Sequence, residues 1–383
     1  MAVDRSNRSS AGRGGRRWWP LALLAGGASC ASLVCINARP APLRLDPLLP
    51  SAHTPVVDEH LELARRYAPF LYKEFHPRLG RQDVPAPVDF DGNLAGDDNW
   101  AACARYELLP TVYYAVLETR SHLFLTYHLF HPRDWTRFDL GVHLTHENDG
   151  ENLQVVVDKA SESVVLLFTQ AHYRGGVYAP ALPGPGASGF GDGAERLRGP
   201  FQLVGEGGVP APDGRHAAAF VESGGHGIYG TLDRHARVEL RADGSAEFAR
   251  AGWILRPARA GEDVREPELV DGAVVPYRLE STTAKLWPLL ASGALVGEGR
   301  LLDGALPYAD ARVELGVPRY YEADRFSGPF GPDRGISPFA VDFRFGAGEV
   351  GALFFAPAER YAEVLAVPAG WSTEYVDPPF RTR

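Results

Sequence analysis

Residues 143–158, HLTHENDGENLQVVVD, gather His143, His146, Glu147, Asp149, Glu151 and Asp158 just ahead of an apolar, β-branched run. Side chains alternate in an extended chain, so Asp149 and Glu151 point to one side. His146 stands three residues earlier, across the bend into the strand. Two carboxylates and an imidazole can therefore face one point. Oxygen-rich ligation with one imidazole suits a hard divalent ion, Mg²⁺ or Ca²⁺, more than Zn²⁺, which takes more nitrogen or sulfur. The competing reading is an acidic turn on Asn148-Asp149-Gly150 that leads into a strand. The spacing matches neither an EF-hand loop nor the HExxH zinc motif.

Of the 12 histidines, eight lie between residues 122 and 226. His172, in TQAHYRGG, is a candidate ligand, a residue that orients a ligand, or a general base; the alternative is a strand-end histidine facing solvent. His226 lies among Gly224, Gly225 and Gly227, where a backbone can approach a ligand closely, or where a tight turn merely carries a histidine. Glu222 precedes it, and an acid beside a metal can move a proton in hydrolysis. His216 carries the least signal of the three. His122 and His128 share strand parity with Phe124, Thr126 and Phe130 and read as sheet histidines. Nucleophile-elbow and phosphate-loop fingerprints do not occur.

The elements that must position these groups are short strands. Glycine (42) and proline (31) are abundant among the 383 residues, which favours turns. TVYYAVLE, HLFLTYHLF, LQVVVD, SVVLLFT and HAAAFVES are rich in β-branched and aromatic residues, and LQVVVD with SVVLLFT reads as a hairpin. RVELRADGSAEFARAG is a second hairpin with an Asp-Gly turn. The Gly- and Pro-rich stretch 179–214 reads as a surface excursion. Helices are expected in DEHLELARRYAPF, in STTAKLWPLL, which Pro288 interrupts, and in PAERYAEVL. The expected fold is mainly β, a β-sandwich with a few flanking helices.

Residues 1–38 stand apart. Arg5, Arg8, Arg13, Arg16 and Arg17 precede an apolar run with small residues after it, which reads as an export signal or, alternatively, an uncleaved membrane anchor. Either places residues 40 onward outside the cytoplasm, secreted or periplasmic. Residues 39–57 are proline-rich and read as a linker, 58–236 as the core, and 237–383 as a β-rich extension or second subdomain. Removing the five arginines and Asp4 leaves 34 basic against 47 acidic residues. That balance excludes nucleic acid as a partner and loose adsorption to anionic lipid. With Cys103 then alone, no internal disulfide can form. A monomer is expected.

Several stretches resemble the necrosis- and ethylene-inducing peptide-like family. VPAPVDFDGN resembles its proline-rich Asp-x-Asp-Gly-Asn segment, and LTYHLFHPRDW its strand ending in Phe-Pro-Lys-Asp. THENDGENLQVVVD sits where the family carries Gly-His-Arg-His-Asp-Trp-Glu and a valine-rich strand. TQAHYRGG resembles its Ser-Ala-His-Gly-Gly segment, and DGRHAAAF matches a later Asp-Gly-x-His. The resemblance spans roughly residues 83–226. It implies an actinoporin- or lectin-like β-sandwich with Asp134, His146, Asp149 and Glu151 around one divalent cation. Beside the ion it implies a cavity for a sphingolipid headgroup sugar, and damage to the target membrane. The family is not known for enzymes. Here its arginine is replaced by Glu147, its second histidine by Asn148 and its tryptophan by Gly150. HENDGE and AAAFVESGGHGIYG also resemble vacuolar-sorting-type proteins, whose His-Glu-x-Asp-x-Glu segment includes a glutamate where Glu147 stands.

Three functions follow. The first is a secreted, cation-dependent protein that binds a lipid headgroup or glycan, with Glu147, His172, His216 and His226 around the ligands. The second is a metal-dependent hydrolase of a phosphoester or lipid, with Glu222, His172 or His226 as proton carrier. The third is a sandwich whose ion is purely structural.

Overall fold

A computed structural model describes residues 47–134, 146–172, 174–187, 189–297, 299–303, 325–326, 335–343, 351–376 and 378–380. Residues 1–38, expected to be an export signal or a membrane anchor, lie outside these residues.

One mainly β sheet organises the chain. Its strands are β1 (Phe70–Phe75), β2 (Thr111–Thr119), β3 (His122–Asp134), β4 (His146–Asp158), β5 (Ser163–Ala171), β6 (Arg174–Pro180) and β7 (Gly199–Phe201). They continue with β8 (Leu203–Val204), β9 (His216–Val221), β10 (Ile228–Gly230), β11 (Ala251–Pro257), β12 (Ala273–Ser281) and β13 (Tyr375–Val376). The order is β10-β9-β1-β11-β12-β2-β3-β4-β5-β6-β7, with β8 on β9 and β13 on β2. Strands β2 to β6 form an antiparallel meander, whereas β1–β9, β11–β12 and β12–β2 pair parallel. The sheet curls until β10 lies against β4 and β5 and the order nearly closes on itself, like a barrel. Strands β11 and β12, from beyond residue 236, sit between β1 and β2, so this one sheet runs across residue 236.

Alternation explains which face is core. Leu123, Leu125, Tyr127 and Leu129 on β3 share a face with Leu153, Val155 and Val157 on β4, and all are buried. The same face turns polar at its end, where His131 pairs with Asp149 and Leu129 with Glu151. On the opposite face, His128 Nδ1 lies 2.9 Å from Asn152 Oδ1, and Gln154 donates to Thr126 Oγ1. Segments from the last fifty residues cover that face, since Ile336 O accepts from Asn152 and Leu353 O from Gln154.

The short helices fall at Leu61–Tyr67 and Pro357–Val364, as their periodicity implies. Thr282–Leu286 is a π-helical turn that runs into the helix Trp287–Ala291, where Pro288 stands in the first turn and needs no N–H partner. Val238–Leu240 and Ala246–Phe248 form the Asp-Gly hairpin. Residues 51–57, within the stretch read as linker, are docked on the sheet: Val56 N donates to Glu280, and Ser281 N donates to Val56 O. Cys103 is a free, buried thiol.

Candidate metal centre

The acidic stretch is not a turn. It is the start of β4, paired with β3 through Asp134–His146, Arg133–Glu147 and His131–Asp149. Pro132 has no N–H to give the ladder, and Asn148 opposite it adopts φ 55°. Turn-type residues are therefore used within a strand, at an irregularity beside the site. On the far side of β4, Gly335 N donates to Asn148 O and Ile336 N to Gly150 O, which closes the strand edge.

Asp149 and Glu151 face the same side and are buried, as alternation requires. The backbone N–H of His172, at the end of β5, donates to Glu151 Oε1 at 3.3 Å. Glu151 Oε2 is buried with no hydrogen-bond partner among the described residues. Burial and the neighbouring charges of Asp149, Glu222 and Asp134 hold the Glu151 carboxyl well above its ordinary range. Asp134 and His172 flank Gly225: a methyl group there would lie 3.6 Å from Asp134 Oδ2 and 3.2 Å from His172 Cε1. The glycine lets the turn after β9 approach both. The His146 side chain lies outside the described residues.

Behind these groups is a buried chain of charge. His226 Nδ1 lies 2.7 Å from Asp149 Oδ2, and its Nε2 lies 3.2 Å from Asp83 Oδ1. With a carboxylate at each nitrogen, both nitrogens donate. Burial and Lys73 oppose the charged ring, but the two carboxylates raise its pKa. Lys73, fully buried, donates to Glu222 O at 2.8 Å and lies 3.9 Å from Asp83. His131 stacks on His226 with ring centroids 3.6 Å apart. Burial first, then His226 and Lys73, keep the His131 ring neutral. Both His131 nitrogens lack a partner among the described residues. His131, Asp149 and His226 bring one ligand-capable atom each within 4.8 Å of one another. The face-to-face stack and the two carboxylates on His226 disfavour a shared ion on both rings, so the orphaned oxygen of Glu151 marks the better ion position.

At the mouth, His172 is half-exposed and its Nε2 lies 2.9 Å from Glu222 Oε1. That hydrogen bond leads the causes that raise the pKa of His172. Burial opposes ionisation of Glu222, but His172, Arg237 and Lys73 hold its carboxyl low. Arg237 also donates to Glu74 at 2.6 Å.

The donors fit a hard divalent ion. Asp149 and Glu151 supply oxygen, Asp134 adjoins them, and the crowding of like charge is what a cation would relieve. Two expected site residues lie elsewhere. His216 sits at the other end of β9, six residues from Glu222 and so about 20 Å along the strand; its Nδ1 bonds Ala68 O at 2.7 Å. Glu147 accepts from Trp100 N at 2.6 Å, and the Arg133 guanidinium lies over the Trp100 ring. Both are pulled away by structural partners. His131, Asp83 and Lys73 were not read as site residues from sequence. His131 alone left a sequence signal, because it continues the parity of the β3 core residues.

No family model matches the chain, and no curated protein matches its sequence. The solved structures it matches include necrosis- and ethylene-inducing-type proteins. One is NLPPya in complex with mannosamine, at 19% identity, covering 51% of this chain and 74% of that one, with TM-score 0.26. Another is the non-toxic HaNLP3 protein, at 18% identity, covering 49% and 77%, with TM-score 0.27. A third is Necrosis and Ethylene inducing Protein 2 from the causal agent of cocoa's witches' broom disease, at 12% identity, covering 66% and 86%, with TM-score 0.28. At such scores the likeness carries no argument about the site, which stands on its own geometry.

Proposed function

We propose that the chain is an exported, divalent-cation-dependent binding protein that recognises a glycan or the polar headgroup of a lipid, with membrane damage as a downstream effect. The observation that carries the reading is Glu151: a buried carboxylate with an orphaned oxygen, crowded by Asp149 and Asp134 at the open end of the curled sheet. One Mg²⁺ or Ca²⁺ there would neutralise the crowding and offer open positions to sugar hydroxyls. The sequence resemblance over residues 83–226 supplies the ligand class. The two facing halves of the curled sheet are taken as the layers of a sandwich.

The test is metal content and calorimetric titration with Mg²⁺ and Ca²⁺, followed by glycan binding and leakage of sphingolipid vesicles with and without chelator. About one equivalent of ion, with chelator-sensitive glycan or vesicle binding, is the expected outcome. An ion without ligand binding leaves it a structural staple. Absence of any ion overturns the reading.

The His172–Glu222 pair favours a second reading, a metal-dependent hydrolase. An imidazole held by a carboxylate, half in solvent beside the ion position, has the geometry of a general base. Turnover of a chromogenic phosphodiester that is lost in Glu222→Gln would establish it. Absence of turnover by the metal-loaded wild type would remove it.

A further inference from the structure

The geometry points to a positioning layer behind the ion: we propose that Asp83 and Lys73 act through His226 to hold Asp149 rigid, and that this rigidity favours a small octahedral cation over a larger one. The inference rests on the ion reading above.

Asp149 is fixed at both oxygens. Oδ1 accepts from its neighbour Gly150 N at 3.0 Å, and Oδ2 meets His226 Nδ1 at 2.7 Å. His226 is itself held against its backbone preference, since its φ is 51°. Such a non-glycine conformation is strained and persists only where the surroundings over-determine it. Here the surroundings are the two carboxylates and the His131 stack. Of the four non-glycine residues with positive φ among those described, three (Asn148, His172 and His226) belong to this site.

Asp83 ends the 3-10 turn Gly80–Asp83 and is anchored independently. It accepts from Gly224 N at 2.8 Å and from His76 N at 3.0 Å. Lys73, on β1, stands 3.9 Å away and donates to Glu222 O. The turn Glu222–Gly227 is therefore tied to two separate elements by fully buried charged groups. Buried ion pairs are weak sources of stability, because desolvation offsets their attraction. A chain of them ending on one oxygen of a candidate ligand is better explained by the precision it imposes. Mg²⁺ demands near-ideal octahedral geometry, whereas Ca²⁺ accepts flexible and bidentate carboxylates. A carboxylate that cannot swing suits the former.

The experiment titrates the full chain with Mg²⁺ and with Ca²⁺, comparing wild type with Asp83→Asn and Lys73→Met, and solves the ion-free structures. The expected result is an Mg²⁺ affinity lowered by about tenfold, with a smaller loss for Ca²⁺, so that the ratio shifts. Equal losses for both ions, or none, with only a lower Tm, would mean a merely structural role and overturn the proposal. If wild type binds neither ion, the ion reading fails on its own. The positioning inference is then decided by the Asp83→Asn structure: loss of the His226–Asp149 contact supports the arm, and its retention refutes it. Should Asp83→Asn not fold, Lys73→Met carries the same comparison.

Discussion

His226 Nδ1 stands 2.7 Å from Asp149 Oδ2 across 77 residues of sequence, and this contact joins the glycine-rich turn after β9 to the first residues of β4. The turn brings Glu222 and Gly225 with it, so that Glu151, Asp134 and His172 share one open end of the sheet. The proposed ion position is an outcome of that closure.

Glu151→Gln tests the charge crowding. Removing a carboxylate that burial and like charge disfavour should stabilise the ion-free protein by about 1 kcal/mol. The same change should abolish the Tm rise on adding Mg²⁺. Thermal melts with and without ion, on wild type and variant, check both halves. A variant that is less stable ion-free would show that Glu151 is a satisfied structural group.

Part of this was legible in the sequence. The shared face of Asp149 and Glu151 followed from alternation, and the apolar parity of Leu123 to Leu129 located the core. The rest depends on register and topology. His131 faces Asp149 only because β3 and β4 pair as they do around Pro132 and Asn148. His226 reaches Asp149 only because β9 and β10 fold back onto the meander. Asn148-Asp149-Gly150 has turn composition but lies in a strand, because Asn tolerates the positive φ that the irregularity requires. Lys73 gave no signal at all, since nothing local distinguishes a buried lysine from a solvated one.

Glu147 stands where the resembling family has arginine. Its carboxylate accepts from Trp100 N, and the Arg133 guanidinium lies over the Trp100 ring. Glu147→Arg would set a cation against that N–H and beside its buried cross-strand partner Arg133. A loss of about 3 kcal/mol is expected. Denaturant melts of the variant measure it. A near-neutral result would mean that the Trp100 contact contributes little.

The docked segment 51–58 should respond to pH through His53. Its Nδ1 lies 2.6 Å from Asp89 and its Nε2 3.1 Å from Glu280, while Lys285 bonds both carboxylates and the Tyr113 ring adjoins Glu280. Burial lowers the His53 pKa, but the two carboxylates outweigh it and the net shift is upward from 6.5. A raised folded pKa contributes stability that is fully present below the unfolded value and is lost as pH rises through the folded value. The Tm difference between wild type and His53→Gln should therefore be largest below pH 6.5 and shrink above it, with hydrogen exchange at residues 49–58 accelerating in step. A difference independent of pH would show that folding leaves the His53 pKa unshifted, and one that grows as pH rises would show that burial outweighs the two carboxylates.

Gly335 ties the C-terminal part of the chain to the site. A Cβ there would collide with Gly150 N and the Asp149 backbone, and neither can retreat because both belong to β4. Gly335→Ala should cost about 2 kcal/mol through overpacking. It should also weaken ion binding, since the displaced atoms carry the Asp149 side chain. Gly272→Ala is the control: its φ of 74° strains an alanine, but nothing lies within 4 Å of the new methyl. Stability should fall in both variants, and ion affinity in Gly335→Ala alone. If Gly335→Ala loses stability yet keeps the affinity, β4 yields at residues 148–150 without moving the carboxylate, and the strand edge is not what fixes the site.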